Sequence, residues 1–201
     1  GHVIALGPGN EGAAREALGA WPGGLQYGGG VTLENARGWL DAGASHVIVT
    51  SWVFREGRLD EERLRALVSA VGRDRLVLDL SCRKRDGEYF VVTDRWQNFT
   101  ALKVDAGTLQ RLADSCAEFL VHAVDVEGLC QGIDEELVRR LALCSPFEVT
   151  YAGGARSLDD LETVSRLGNG RVHLTIGSAL DIFGGAGVKY ADCVAFNRRT
   201  T

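Results

Sequence analysis

The chain has no methionine, no long apolar run and no paired-cysteine spacing, and each absence narrows what it can be. Without an initiator, Gly1 leads straight into the strand-like run HVIAL, His2–Leu6, which points to a natural protein that begins further upstream. No stretch approaches the roughly 20 apolar residues of a membrane span, and no basic, apolar leader opens the chain, so the reading is of no membrane partner and no secretory signal. The five cysteines, Cys82, Cys116, Cys130, Cys144 and Cys193, are odd in number and lack CxxC spacing. They read as free thiols in a reducing compartment. Four scattered histidines add no ligand pattern, so no metal site and no cofactor are expected. The formal net charge of −5 argues against nucleic acid or an anionic membrane surface as the main partner. The expected setting is a cytoplasmic monomer, or a plastid one if the source is a plant.

What is present is an ordinary globular composition, 45% hydrophobic and 24% charged over 201 residues, read as one domain spanning 1–201. Short apolar runs at His2–Leu6, Leu25–Tyr27, His46–Val49, Leu76–Leu80, Phe119–Val124, Phe147–Tyr151 and Val172–Ile176 read as seven strands. Between them, 3.6-residue periodicity predicts helices at Glu11–Ala20, Leu33–Ala42, Asp60–Val71, Asp105–Ala117 and Asp134–Leu143; Asp181–Phe183 and Gly184–Gly187 start a last helix or loop, and Tyr190–Asn197 closes the chain. One segment breaks the alternation. Arg83 to Thr100 carries a turn at Arg85-Asp86-Gly87 and a β-rich return, EYFVVT, and reads as a hairpin inserted after a strand. Alternating strand and helix predicts a parallel sheet covered by helices. An open doubly wound sheet would concentrate its glycine signature after the first strand. Here the signature recurs after several strands, which favours an α/β fold of the (β/α)8 TIM-barrel type, with the first strand absent from this chain.

The chain also repeats itself. QYGGGVTLENARGWLDAGASHVIVTSWVF, residues 26–54, aligns with TYAGGARSLDDLETVSRLGNGRVHLTIGSALDIF, residues 150–183, and implies a half-barrel unit used twice. In each copy a glycine loop follows one strand, Gly28-Gly29-Gly30 and Gly153-Gly154. A donor loop follows the next, Thr50-Ser51 and Gly177-Ser178. Glycine lets backbone N–H groups approach an anion, and the hydroxyls add donors. Two matched cradles on one rim predict a small-molecule ligand with two phosphates.

Asp79, inside the apolar run LVLDL, is the leading chemical candidate. A carboxylate there is costly unless partnered. At the C-terminal end of a barrel strand it points into the mouth, where burial favours the protonated form of a general acid. The alternative is a structural carboxylate paired with Arg83 or Lys84. Asp125 and Glu127, after the next strand, bind sugar hydroxyls, orient Asp79 or cap a loop. Trp96 either stacks on a flat heterocycle or plugs the hairpin.

The runs LVLDLSCRKRDG, VVTDRWQNF, FLVHAVDVEG, VTYAGG and GSALDIFGG, with the repeat above, resemble the histidine-biosynthesis barrels, and among them the eukaryotic phosphoribosylformimino-aminoimidazole carboxamide ribotide (ProFAR) isomerases. The resemblance covers essentially the whole chain. It implies an Amadori rearrangement, aminoaldose to aminoketose, on a substrate with a phosphate at each end. It implies that Asp79 is the general acid that opens the ribose ring, with Arg83 among the substrate contacts, and that Trp96 stacks near the imidazole carboxamide. The family's general base lies on the first strand and matches no residue here, so this stretch alone is expected to bind substrate weakly and turn it over negligibly. Where bacterial members carry Thr, Val124 stands here, and the loop with Glu127-Gly128 is shorter, which leaves the roles of Asp125 and Glu127 open. Two other readings stand beside this one: the cyclase subunit of imidazole glycerol phosphate synthase, which shares the barrel and its phosphate sites, and a non-catalytic bisphosphate-binding fragment.

Overall fold

The protein's structure, a computed structural model, describes residues 1–93 and 96–200; Asp94 and Arg95 of the VVTDRWQNF run lie outside the described residues. Seven parallel strands form one sheet in chain order: His2–Ile4, Gln26–Gly28, Val47–Val49, Leu76–Asp79, Glu118–His122, Val149–Ala152 and Val172–Thr175. Each is here called by its place, first to seventh. Every neighbouring pair is parallel, with registers such as Ile48 opposite Val77 and Leu120 opposite Asp79. All seven expected strands are present, within two residues of their expected ends.

Alternation along the strands explains the two-sided burial. Val47, Leu76, Leu78, Phe119, Val121, Val149, Tyr151 and Val172 face the helices in the main core. Their alternates Ile48, Val77, Leu120 and Ala152 form a second apolar cluster on the opposite face. That inner face is curled. The Glu118 carboxylate on the fifth strand accepts hydrogen bonds from Gln26 Nε2 on the second, at 2.7 Å, and from Thr150 Oγ1 on the sixth, at 2.5 Å. In a flat sheet the second and fifth strands stand about 14 Å apart, beyond the reach of two such side chains. The sheet therefore wraps as a (β/α)8 barrel does, with seven strands in place of eight.

The helices over the outer face are Glu11–Ala20, Leu33–Asp41, Glu61–Val71, Ala106–Leu112, Glu135–Cys144 and Leu158–Leu167, and Tyr190–Thr200 follows the last strand. Side chains of Asp60, Asp105, Asp134 and Ser157 accept from backbone N–H groups of the first turns and fix the helix starts. One helix is shorter than periodicity predicts. The expected Asp105–Ala117 helix ends at Leu112 and tightens into a 3₁₀ turn over Ala113–Ser115. Asp114 and Ser115 are weak helix formers, and Arg73 satisfies the carbonyls of Ala113 and Cys116 from outside.

The inserted segment is larger than a hairpin. Cys82–Arg85, Glu88–Thr93 and Asn98–Lys103 make a three-stranded antiparallel sheet, turned at Asp86 and Gly87 with φ of 53° and 79°. The third strand escaped pattern reading because FTALK lacks a strong β signature. A second small hairpin, Phe54–Arg55 with Arg58–Leu59, turns at Glu56 and Gly57. Among the described residues no helix is long and apolar enough to cross a membrane.

Candidate active site

Because the seven strands run parallel, the segments that follow them share one rim, and the sequence-derived candidates sit on those segments. Asp79 closes the fourth strand on the inner face, above Val77, and is only 9% exposed. Its partners are neither Arg83 nor Lys84. Ser81 Oγ donates to Asp79 Oδ1 at 2.9 Å, and His122 Nδ1 lies 3.2 Å from the same oxygen. His122 ends the fifth strand, two residues beyond Leu120, the register partner of Asp79. Burial of the His122 ring by itself lowers its pKa. The Asp79 carboxylate, through its charge and its hydrogen bond, and Glu127 outweigh burial and hold the imidazole above its ordinary 6.5.

The two halves of the repeat superpose in backbone logic. Gly29 and Gly30 have φ of 104° and 65°, Gly153 and Gly154 of 126° and 73°, and a 3₁₀ turn follows the second strand of each copy, at Ser51–Val53 and Asp181–Phe183. The glycines are not equivalent, however. A Cβ on Gly29 would sit 2.1 Å from the Ala5 carbonyl oxygen, and one on Gly154 2.1 Å from that of Gly132. These positions are glycine because neighbouring chain passes against them. A Cβ on Gly30 or Gly177 would meet nothing within 4 Å, so their backbone faces open space, as an anion cradle requires. Gly28, at the end of its strand, packs against Ile4, and Gly153, just past the end of its strand, packs against Ala123.

Gly29, Gly30, Thr50 and Ser51 line one cavity of about 980 Å³. Arg15 enters the same cavity, its guanidinium 4.9 Å above the Trp39 ring. In the second copy Ser178 is exposed on its loop and lies 3.3 Å from Cys130 Sγ.

Asp125 is engaged at the surface: Arg83 Nε donates to it at 2.7 Å and the Lys84 N–H at 3.0 Å. This ties the base of the inserted sheet to the loop after the fifth strand. Lys84 Nζ meets Glu136 at 2.5 Å, and Arg140 meets Glu88 at 2.6 Å. Tyr89 donates to Asp134 at 2.7 Å, and the Asp134 N–H donates to Tyr151 at 2.8 Å. The inserted sheet is thus fastened to the Glu135–Cys144 helix and to Asp134, the residue that caps it. Glu127 is half-buried and acts on His122 by charge, and Trp96 is 40% exposed with φ of 67°.

Pattern reading missed His122, Ser81 and Arg15. His122 carried no signal as a lone histidine. The signal was positional: FLVHA places it on the same face as Leu120, and LDLS places Ser81 two residues from Asp79. Arg15 was hidden on a helix, and its placement depends on how that helix packs.

A family model described as histidine biosynthesis protein matches residues 8–186. The 1-(5-phosphoribosyl)-5-((5-phosphoribosylamino)methylideneamino)imidazole-4-carboxamide isomerase of Neurospora crassa is 54% identical over 201 residues, covering 98% of this chain and 78% of the relative. The isomerase of the same name from Saccharomyces cerevisiae is 50% identical over 204 residues, again 98% and 78%. A chloroplastic isomerase of Medicago truncatula is 55% identical over 201 residues, 99% of this chain and 64% of the relative. With half its residues shared along nearly its whole length, this chain belongs to the histidine biosynthesis protein family.

Proposed function

We propose that the protein isomerises ProFAR, the aminoaldose with a phosphoribosyl group at each end, to the corresponding aminoketose. The observation that carries this is identity of about half the residues, over nearly the whole chain, with relatives named for that isomerisation. The site supports it. Asp79 is the general acid: it gives a proton to the ribose ring oxygen, the C1′–O bond breaks, and the amine lone pair forms a Schiff base. Loss of the C2′ proton to a second group then yields the enolamine and the ketose. Gly30 with Thr50, Ser51 and Arg15 holds one phosphate, and Gly177 with Ser178 holds the other. Gly28, Gly29, Gly153 and Gly154 shape those loops. Arg83, Asp125 and Trp96 form the inserted-sheet wall against which the imidazole carboxamide rests, and Glu127 sets the charge around His122. A general acid, a general base and two anion cradles suffice for this chemistry, and the substrate is small. The named relatives favour the isomerase over the cyclase, whose chemistry consumes ammonia. The chloroplastic relative makes a plastid location the expectation for a plant source, and a cytoplasmic monomer the expectation otherwise.

The test is turnover of ProFAR by the intact protein without ammonia or a glutaminase. Conversion to the aminoketose is expected; conversion only with ammonia would assign the cyclase instead.

A further inference from the structure

We propose that Asp79 and His122 work as one proton-sharing pair, with His122 as the positioning residue that recharges the acid. This rests on the reading of Asp79 as the general acid. The geometry is specific. Ser81 Oγ and His122 Nδ1 both converge on Oδ1 of Asp79, at 2.9 and 3.2 Å, on adjacent strands and on the inner face. Ser81 already donates to Oδ1, so the atom facing His122 is an acceptor and His122 carries its proton on Nδ1. The charged and titratable groups that reach His122 are Asp79 on the neighbouring strand, Glu127 in the loop after its own strand, and His2 on the first strand. His2 is itself depressed to about 4, chiefly by burial, and stays neutral in the working range. Two carboxylates therefore face one imidazole, which holds a proton where a solvated histidine would release it.

The competent pair holds one proton. In the ring-opening step that proton leaves Asp79 for the ring oxygen, the C1′–O electron pair goes to the same oxygen, and the nitrogen lone pair forms C=N. The substrate gains the positive charge, and the pair is left as a carboxylate and a neutral imidazole. Proton uptake by His122 restores it for the next cycle.

The experiment uses the intact protein and has two arms. In the first, the His122 ring is followed by NMR against pH, with no substrate. It should titrate above 6.5 in the wild type and lower in Asp79→Asn, where only Glu127 is left to oppose burial. An unmoved titration overturns the pair even if isomerase activity is intact. In the second, kcat and KM for ProFAR are measured from pH 5 to 9. Wild-type kcat should stay level while the pair keeps one proton and fall above its upper pKa. In His122→Asn, which keeps an amide N–H near the Nδ1 position, kcat should begin to fall at a lower pH than in the wild type, with KM within about threefold. A His122→Asn profile of wild-type shape, merely lowered, would make His122 a structural residue and overturn the proposal. Failure of the wild type to convert ProFAR would overturn the reaction assigned above, on which the NMR arm does not depend.

Discussion

At the scale of single residues, the site separates carboxylates by environment. Asp79 is enclosed on the inner face and held by two side chains, whereas Asp125 lies on the exposed rim in a 2.7 Å ion pair with Arg83. A buried carboxyl aimed into the mouth can transfer a proton to substrate; an exposed one already bound to a guanidinium serves position. Asp79→Asn should therefore lower kcat by about 10²–10⁴-fold with KM nearly unchanged. Asp125→Asn should leave kcat within about tenfold and act mainly on KM, by loosening the inserted sheet, because exposed ion pairs contribute little on their own. Steady-state kinetics on both variants decides this, and a larger kcat loss from Asp125→Asn would reverse the assignment. The thiols divide in the same way. Cys82 and Cys116 are buried, and burial pushes Cys116 up to about 12, so alkylation at neutral pH should spare both.

At the scale of elements, the strand–loop–helix unit does two jobs with two adjacent glycines. Gly29 is required by contact, with the Ala5 carbonyl where a Cβ would be, and Gly30 by conformation, with open space beside it. Gly30→Ala should cost about 1–2 kcal/mol, the price of a left-handed non-glycine residue. Gly29→Ala should cost clearly more, since backbone must move to admit the methyl group. Chemical denaturation of the two variants gives the comparison. Gly30→Ala should in addition weaken phosphate or sulfate binding in the first cavity, since its methyl projects into the cradle. Equal destabilisation by both changes would mean that the loop relaxes freely and that contact with Ala5 is not what fixes Gly29.

At the scale of the whole molecule, curling the sheet brings polar residues of distant strands together, and pH then acts on the fold through histidine. His2 is held down to about 4, chiefly by burial, and His46 is lowered chiefly by burial. The unfolded chain takes up these protons near pH 6.5, before the folded one does, so both histidines subtract stability as pH falls from about 6.5 toward 4. His122 has the opposite sign. Its raised pKa contributes stability that is complete below about 6.5 and is lost as pH rises through its folded value. Thermal midpoints should therefore fall on both sides of a maximum near pH 6.5, and His46→Gln should flatten the acid side. An acid limb unchanged in His46→Gln would remove that residue from the account. The sequence by itself determined the strand and helix order, the doubled glycine unit and the candidacy of Asp79, because each is written in local periodicity, in turn chemistry or in one charge inside an apolar run. Only the tertiary structure decided that His122 and Ser81 meet Asp79, that Arg15 enters the first cavity, that Asp125 belongs to Arg83, and that Glu118 joins Gln26 to Thr150 across 92 and 32 residues. Those contacts follow from strand register and from the curl of the sheet, two quantities fixed by the packing of all seven strands together and by no single stretch of the chain.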